Sequence, residues 1–279
     1  MANVNERLRQ AAKVGSEVEI KAVLKKPGCD ALSKDLGCMT ALMWAAENGH
    51  EGCVRLLMPW SDALDSDRHG ATALTHASWR GHEGCVRLLL PASDALGQDE
   101  RGMTALMYAA ENGHEGCVGL LLPASDALAK DGGGLTALMY TVSYGHEGCV
   151  RLLLPASDAL SRDKCGLTAL MWAARSGHEA LVQFLLLTSD ALAQDENGWT
   201  ALMLAAWSGH EACVQRLLPV SDALSKNKTG MTASGLARNN GHKFLVQFIE
   251  THALAQVDRE SIGEAASPGA ARGRSGLRM

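Results

Sequence analysis

The stretch that decides the fold is residues 99–114, which read DERGMTALMYAAENGH. Its central Thr-Ala-Leu recurs at a constant step of 32 residues, and Gly-His recurs in the same step. Self-similarity at a fixed period of this length is typical of stacked-repeat proteins. We therefore predict a tandem-repeat array. The Thr-Ala-Leu copies begin at Thr40, Thr72, Thr104, Thr136, Thr168 and Thr200, and a degenerate Thr-Ala-Ser copy begins at Thr232.

A single unit, such as residues 67–98, can be divided into a turn and two short helices. Residues 67–70 carry the Asp and Gly of a turn, and Thr72 is a good N-cap for a first helix that Gly81 ends. A second helix is expected over residues 83–90, and it ends at Pro91. Helices this short are not stable alone in water. Each unit must therefore bury its apolar face against its neighbours, which predicts a solenoid.

The quoted stretch resembles the ankyrin repeat, whose signature is Asp-x-x-Gly-x-Thr-Pro-Leu-His-x-Ala-Ala-x-x-Gly-His. The resemblance covers roughly residues 5–255. It implies an all-α fold, an ankyrin-type helix-turn-helix repeat solenoid with short β-turn tips. Cys38 stands where a turn Gly is expected, which predicts a distorted first turn. Met replaces the family's His in five copies, which implies a more apolar link between turns: Met43, Met107, Met139, Met171 and Met203.

The repeats and the two ends predict four segments. Residues 1–34 are expected to form an N-terminal capping repeat, and residues 35–226 six full repeats of 32 residues. Residues 227–256 are expected to form a C-terminal capping repeat, in which Ser234 and Gly235 break the first helix. Residues 257–279 are expected to be a disordered tail, because they become rich in Gly, Ala, Ser and Arg.

Composition limits the class of protein. The net charge of -5 gives no basic surface for nucleic acid and no polybasic run for a membrane surface. The sequence contains neither an apolar run of about 18 residues nor the apolar core of a signal peptide. We expect a cytoplasmic protein, with association with the cytoskeleton as an alternative.

No motif in the sequence predicts catalysis, a metal or a cofactor. The Gly-His column, which starts at His50, is spaced too widely for shared metal ligation, and each His is expected to bond local backbone. The His-Glu pairs lack the second His, four positions after the first, that a zinc-protease motif needs.

The cysteine column shares its position with Leu181 and Leu245, so it is expected to lie in the core. Cys38 and Cys165 are expected at turn tips, where an incidental surface thiol is favoured over a redox role. We therefore expect no enzyme activity and no small-molecule substrate.

Positions that vary between repeats are the candidates for contact with a partner. They lie on the first helix and at the turn tips, which in ankyrin repeats line the concave groove. Exposed Trp, Tyr and Arg side chains are typical of interaction hot spots. The alternative is that the rings fill the joints between neighbouring first helices. The predicted partner-binding residues are Trp44, Arg68, His76, Trp79, Arg80, Arg101, Tyr108, Tyr140, Tyr144, Trp172, Arg175, Trp199 and Trp207.

The sequence therefore favours a scaffold or adaptor that binds one or more proteins through the concave face of the array. A structural component that packs side by side in an assembly is the alternative. Three Glu-Arg pairs spaced i, i+4 on the second helix are expected to form a solvated convex back: Glu51–Arg55, Glu83–Arg87 and Glu147–Arg151.

Overall fold

The threonine of each repeat starts a helix because its hydroxyl takes the place of a missing backbone partner. In the second full repeat the Thr72 hydroxyl accepts a hydrogen bond from the Thr75 N–H at 3.3 Å, and Gly81 ends the helix with a φ of 79°. The same cap occurs at Thr104, where the hydroxyl accepts from the Met107 N–H at 3.2 Å. The repeated Thr and Gly thus fix both ends of each first helix.

The computed structural model describes residues 3–265, with side chains described to residue 255. Within that part of the chain the fold is all-α, as predicted, and the helices come in antiparallel pairs. The helices are α1 Val4–Val14, α2 Glu17–Leu24, α3 Ala41–Glu47, α4 Glu51–Leu57, α5 Ala73–Arg80, α6 Glu83–Leu89, α7 Ala105–Glu111, α8 Glu115–Leu121, α9 Ala137–Tyr144, α10 Glu147–Leu153, α11 Ala169–Ser176, α12 Glu179–Leu185, α13 Ala201–Ser208, α14 Glu211–Leu217, α15 Ala233–Asn239 and α16 Lys243–Ala265.

The helices stack in two layers along the array. The first helices of successive repeats pack on one another, and the second helices form a parallel layer behind them. The first helices pack more closely than the second helices do, so the first-helix layer is the concave side. Small side chains such as Ala109 and Ala110 permit this close approach, and both are fully buried. In α6 the predicted inward residues Cys85, Val86 and Leu89 are fully buried, which confirms the core face of the second helix.

The turn tips are organised by an aspartate in each of the six full repeats and by Asn227 in the last repeat. The Asp67 carboxylate accepts hydrogen bonds from the His69 and Ala71 N–H groups at 2.8 and 3.0 Å, and the Asp67 N–H bonds the Ala71 carbonyl. Neighbouring tips are joined by a backbone bond, such as the 2.9 Å bond from the Glu100 N–H to the His69 carbonyl. The tips therefore form a continuous edge on one side of the solenoid.

The first tip keeps this turn although it lacks the glycine. Cys38 takes the left-handed conformation that other repeats give to glycine, with a φ of 61°. The turn closes normally, since the Cys38 N–H bonds the Asp35 carbonyl at 3.0 Å. The predicted distortion is thus confined to the backbone conformation of Cys38, where a non-glycine residue is strained.

A proline follows the second helix in most repeats and sits inside a short 3-10 turn. The turns are Met58–Trp60, Leu90–Ala92, Leu122–Ala124, Leu154–Ala156 and Leu218–Val220. Pro91 therefore lies within this turn and does not directly end α6. In the repeat where Leu187 replaces the proline, residues 186–188 form a hydrogen-bonded turn and no such helix.

The C-terminal repeat departs from two expectations. Ser234 and Gly235 do not break the first helix of the last repeat, because Thr232 caps α15 and the helix continues to Asn239. The last helix continues to Ala265, so the predicted tail boundary at 257 is wrong for residues 257–265. No proline interrupts residues 243–265, and each further residue can add one hydrogen bond to the helix already formed. Residues 266–279 of the predicted tail lie outside the described residues.

The predicted convex ion pairs form in one of three cases. Arg151 lies 3.6 Å from Glu147, but no such pair forms for Glu51 or Glu83 within the described residues. Those two carboxylates instead lie against a glycine at the start of the next second helix, Gly84 and Gly116 respectively. The matching position beyond Glu147 is Ala180, whose methyl group fills the space that a glycine leaves open. Glu147 pairs with Arg151 in this repeat.

Within residues 3–265, no helix has both the length and the apolar character needed to cross a membrane.

Candidate functional site

The predicted contact residues at the fourth position after each Thr are tied to the turn aspartate of their own repeat. The Tyr108 hydroxyl donates to Asp99 Oδ2 at 2.6 Å, and the Trp172 Nε1–H donates to Asp163 Oδ2 at 3.1 Å. The same contact joins Trp44 to Asp35, His76 to Asp67 and Tyr140 to Asp131, at 2.9, 3.1 and 2.7 Å. One carboxylate oxygen thus shapes the turn while the other holds the ring.

These contacts shift the ionisation of the groups involved. Burial raises the pKa of Tyr108, and the hydrogen bond to Asp99 and the charge of that carboxylate raise it further. Burial and the bond to Asp131 raise the pKa of Tyr140 in the same way. Burial acts to raise the pKa of Asp35, but hydrogen bonds from Trp44 Nε1 and from the Met39 and Gly37 N–H groups lower it overall. The column is therefore held by hydrogen bonds to the turn aspartates.

The predicted site residues divide by exposure. Tyr140 is only 8% exposed, so its assignment as an exposed contact residue is wrong, because its ring packs into the core while its hydroxyl reaches Asp131. Trp44, His76, Tyr108, Trp172 and Trp199 are half-buried. Each of these rings is therefore partly packed within the array and partly accessible to solvent. The exposed members of the set are Arg68, Trp79, Arg80, Arg101, Tyr144, Arg175 and Trp207.

Three of the rings are covered by a cation. The Arg80 guanidinium lies 3.8 Å from the centre of the Trp79 ring and also pairs with Glu47 at 2.9 Å. Arg175 lies over Trp172 at 5.3 Å, and Lys13 over Trp44 at 4.0 Å. Such cation–π contacts attract the cation to the face of the ring and so help to fix the orientation of the ring. They reduce the number of orientations that Trp79 can adopt on the surface.

The other aromatic residues form pairs along the same face. The Trp199 and Trp207 rings meet edge to face, with centroids 6.2 Å apart. Tyr144 stacks on His146 at 6.3 Å and its hydroxyl donates to Glu111 at 3.4 Å. Arg68 bonds the Leu36 carbonyl of the preceding tip.

Four of the predicted residues surround one cavity of about 380 Å³ between the second and third full repeats. His76, Trp79 and Tyr108 come from the first helices, and Arg101 comes from the turn tip. Ala71 and Thr75, both buried, form part of its wall. His69 and Glu100 add one basic and one acidic side chain at its rim. The cavity thus combines two rings with charges of both signs.

A larger, shallower depression of about 770 Å³ lies between the N-terminal repeat and the first two tips. Of the predicted residues it contains Trp44 and Arg68. Arg9 and Lys34 also line it, but both are engaged, Arg9 with Ser33 and Glu6 and Lys34 with Asp65. Its charged groups are therefore largely paired within the chain.

The Gly-His column joins one repeat to the one before it. The His146 Nε2 lies 2.9 Å from the Glu111 carbonyl oxygen, which is 35 residues earlier in the chain. The same bond recurs at each His of the column, from His50 with the Lys13 carbonyl to His242 with the Trp207 carbonyl. The expectation of a local backbone bond is wrong in this respect, because the acceptor belongs to the preceding repeat.

The cysteine column lies in the core, as predicted. Cys53, Cys85, Cys117, Cys149 and Cys213 are buried and unpaired. Burial raises the pKa of Cys85 to about 12. Cys165 is exposed at its tip, whereas Cys38 is half-buried. Among the residues that the structure describes, no three His, Cys, Asp or Glu side chains converge as metal ligands would.

Sequence reasoning missed two kinds of residue on these surfaces. The turn aspartates that hold the rings were interpreted as turn formers only, although a polar ring nine residues later accompanies Asp in five repeats. Trp60 was not among the predicted residues, yet it is 59% exposed. It stands where the following two repeats carry Ala92 and Ala124, and that difference was visible in the sequence.

A family model matches most of the chain. The family model for ankyrin repeats, described as three copies, matches residues 8–99, 93–163 and 155–223. A search of curated proteins finds no match to the chain.

Proposed function

Because the chain belongs to the ankyrin-repeat family, we propose that it acts as a scaffold or adaptor, binding protein partners on the concave face of its array. Ankyrin repeats in general mediate protein–protein interactions. The proposed role is non-catalytic and cytoplasmic, and its partners are proteins rather than nucleic acid, membrane or small molecules. No enzyme step is assigned to any residue.

The cavity between the second and third full repeats is the observation that carries this proposal. A site of about 380 Å³ with two rings and a few polar groups lies at the lower end of the range for small-molecule pockets, about 300–1,000 Å³, and so has room for a large side chain of a partner. Trp79 is held by Arg80, so little side-chain freedom is lost when a partner packs on it. Arg101 and Glu100 at the rim can bond polar groups of the same partner.

The chemistry of the cavity favours one large apolar or aromatic side chain of a partner. The Trp79 and Tyr108 rings offer flat apolar surface, and the His76 and Tyr108 polar atoms are already bonded to aspartates. A partner side chain that packs there therefore leaves His76 Nε2 and the Tyr108 hydroxyl paired with their aspartates. Specificity would then depend on Arg101, Glu100 and the varied tips of neighbouring repeats.

Affinity capture or proximity labelling with the intact chain, followed by binding measurements on the captured protein, tests the proposal. Trp79→Ala combined with Arg101→Ala should weaken binding by about 2 kcal/mol or more if the cavity is a hot spot. Both side chains are exposed, so the melting temperature should change little. The control is Arg55→Ala with Arg87→Ala on the second helices, both exposed.

The two variants separate the outcomes. Loss of binding in the convex control with full binding in the cavity variant would place the partner on the other face. A cavity variant that melts much earlier than the parent would show that Trp79 and Arg101 act in folding. Failure of any protein to bind the intact chain would reject the proposed role altogether.

A structural component of a larger assembly is the second candidate function. It is favoured by a row of exposed leucines on a different edge of the array.

A further inference from the structure

One edge of the solenoid carries the same exposed leucine in every loop that follows a second helix. These leucines are between 49% and 58% exposed. They lie beside the alanine of the Ser-Asp-Ala-Leu motif, and in most loops it is this alanine that is buried. The core therefore uses the smaller residue and leaves the larger one in solvent. We name this row the leucine edge: Leu32, Leu64, Leu96, Leu128, Leu160, Leu192 and Leu224.

Each leucine of the edge is held in a defined turn. The Leu96 N–H donates to Asp94 Oδ1 at 2.9 Å, and the Leu128 N–H donates to Asp126 Oδ1 at 2.8 Å. The same bond occurs in the other loops, at 2.8–3.0 Å. Such turns fix the backbone from which the leucine projects. Little backbone order would be lost when a partner covers the row.

Neighbouring loops are also joined to one another. The Lys130 Nζ bonds the Arg162 carbonyl at 2.8 Å, and Arg162 Nη1 bonds the Gln194 carbonyl at 2.6 Å. Gln98 bonds the Lys130 carbonyl in the same way, at 3.1 Å. These bonds hold successive loops in register. The leucines therefore form a rigid row with the spacing of the repeats.

The uniformity of the row distinguishes it from the concave face. Recognition of a partner of unrelated sequence needs residues that differ from repeat to repeat. The residues at the fourth position after each Thr, on the concave face, differ in this way. Seven identical apolar side chains at one spacing instead match a partner that has apolar groups at the same spacing. A second copy of this chain has that spacing over its whole length. Each leucine exposes about half of its surface, so the row offers an apolar contact at every repeat.

The charges on the edge are compatible with self-association. Each loop carries an exposed aspartate two residues before its leucine. In four of the loops an exposed basic residue follows that aspartate by four positions, at Lys34, Lys130, Arg162 and Lys226. Two copies can therefore place each of these four basic residues opposite an aspartate of the other edge.

We propose that two copies of this chain associate lengthwise through their leucine edges. The contact is separate from the concave face, so a dimer leaves both grooves free. The assembly would present two parallel or antiparallel sets of partner-binding surfaces. Linking two such sets raises the apparent affinity for a partner with two matching sites.

Sedimentation velocity over roughly a hundredfold range of protein concentration tests the dimer. The parent chain should shift from monomer to dimer as concentration rises. Substituting Leu96→Gln, Leu128→Gln and Leu160→Gln together should weaken association at least about a hundredfold. The matched control is Leu152→Gln with Phe184→Gln, which removes exposed apolar side chains from the second helices. The control should dimerise like the parent.

A parent chain that stays monomeric across the range overturns the proposal, as does a triple variant that dimerises like the parent. If the triple variant does not fold, hydrogen exchange of the parent at low and high concentration decides. The amides of residues 94–98 and 126–130 should become slower to exchange in the concentrated sample. Unchanged exchange there, with a dimer present, would place the interface elsewhere. None of these results depends on whether the concave face binds a partner.

Discussion

The Tyr108 hydroxyl and the Asp99 carboxylate, nine residues apart, meet at 2.6 Å within one repeat. Asp99 also accepts the Arg101 and Met103 N–H groups at 2.9 and 2.8 Å. The aspartate therefore couples the shape of the tip to the position of a ring on the concave face. A change to the ring should affect both stability and the presentation of the tip.

Tyr108→Phe should destabilise the array, because Asp99 loses a charge-assisted donor while the ring keeps its packing. The expected loss is about 1–2 kcal/mol in the free energy of unfolding, measured by urea denaturation. Tyr144→Phe is the control, since Tyr144 is 56% exposed and its bond to Glu111 is long at 3.4 Å. It should change the free energy by less than about 0.5 kcal/mol. If the two substitutions lower the free energy of unfolding equally, then the hydrogen bond from Tyr108 to Asp99 does not stabilise the array.

The repeated motifs allowed most of the fold to be predicted from sequence. Thr72 and Gly81 are local signals, so the ends of α5 follow from capping chemistry that acts within a few residues. Cys85 could be placed in the core because Leu replaces it in other copies. Short-range chemistry and comparison between copies were sufficient for these features.

Contacts between repeats were harder to predict. The acceptor for His146 lies 35 residues away, and only the stacking of helices brings it near. Glu83 lies against Gly116 of the next repeat and does not pair with Arg87, a contact that also depends on how the second helices stack. The glycines at these positions, and their replacement by Ala180 and Ala212, were the available signal.

The candidate site was predicted in composition but not in exposure. Tyr108 and Tyr140 occupy the same position in their repeats, yet Tyr108 is half-buried and Tyr140 is buried. Position along a short helix does not determine how far a ring leans toward its neighbour. The outward Leu96 was also missed, because hydrophobicity alone would place leucine inward and alanine outward.

The buried thiols should make the array sensitive to alkaline pH. Burial, with smaller contributions from nearby acidic groups, raises the pKa of Cys85 to about 12 and of Cys117 to about 11, from an ordinary value of 9.0. A raised pKa means that the folded chain favours the neutral thiol, so this stability is fully present below pH 9. It is lost as pH rises from about 9 through about 12.

Urea denaturation at increasing pH should show a constant free energy of unfolding from about pH 7 to 8.5 and a decline above about pH 9. Cys85→Val should make the decline less steep, because it removes one titrating thiol while keeping an apolar side chain in the core. A free energy that falls equally steeply in the variant would assign the decline to other groups, such as Tyr108 and Tyr140, whose pKa values are also raised.

Thiol modification should select Cys165. It is exposed at a turn tip, whereas Cys85 and Cys149 are fully buried. Alkylation of the folded chain near neutral pH should therefore modify Cys165 well before the buried thiols, because the reactive species is an accessible thiolate. Mass spectrometry of peptides over time measures the order. Equal rates at Cys85 and Cys165 would mean that the repeats open locally far more often than their packing suggests.

Two glycines of one repeat should respond in opposite ways to alanine. Gly113 has a φ of 71°, and an added Cβ would lie 2.6 Å from His146 Nδ1. Gly113→Ala should therefore strain the backbone by about 1–2 kcal/mol. It should also displace His146 from the Glu111 carbonyl, at a further cost of about 0.5–1.5 kcal/mol.

Gly116 lies in the first turn of α8, where the added Cβ would meet only the end of the flexible Glu83 side chain. That carboxylate can move aside, as Glu147 does beside Ala180 when it pairs with Arg151. Alanine also favours the helix over glycine by up to about 1 kcal/mol. Gly116→Ala should thus leave the free energy of unfolding unchanged or raise it slightly, while Gly113→Ala lowers it. Urea denaturation of both variants measures the difference in the free energy of unfolding. If Gly116→Ala is less stable than Gly113→Ala, then contacts of the Glu83 carboxylate stabilise the array and are lost when it moves aside.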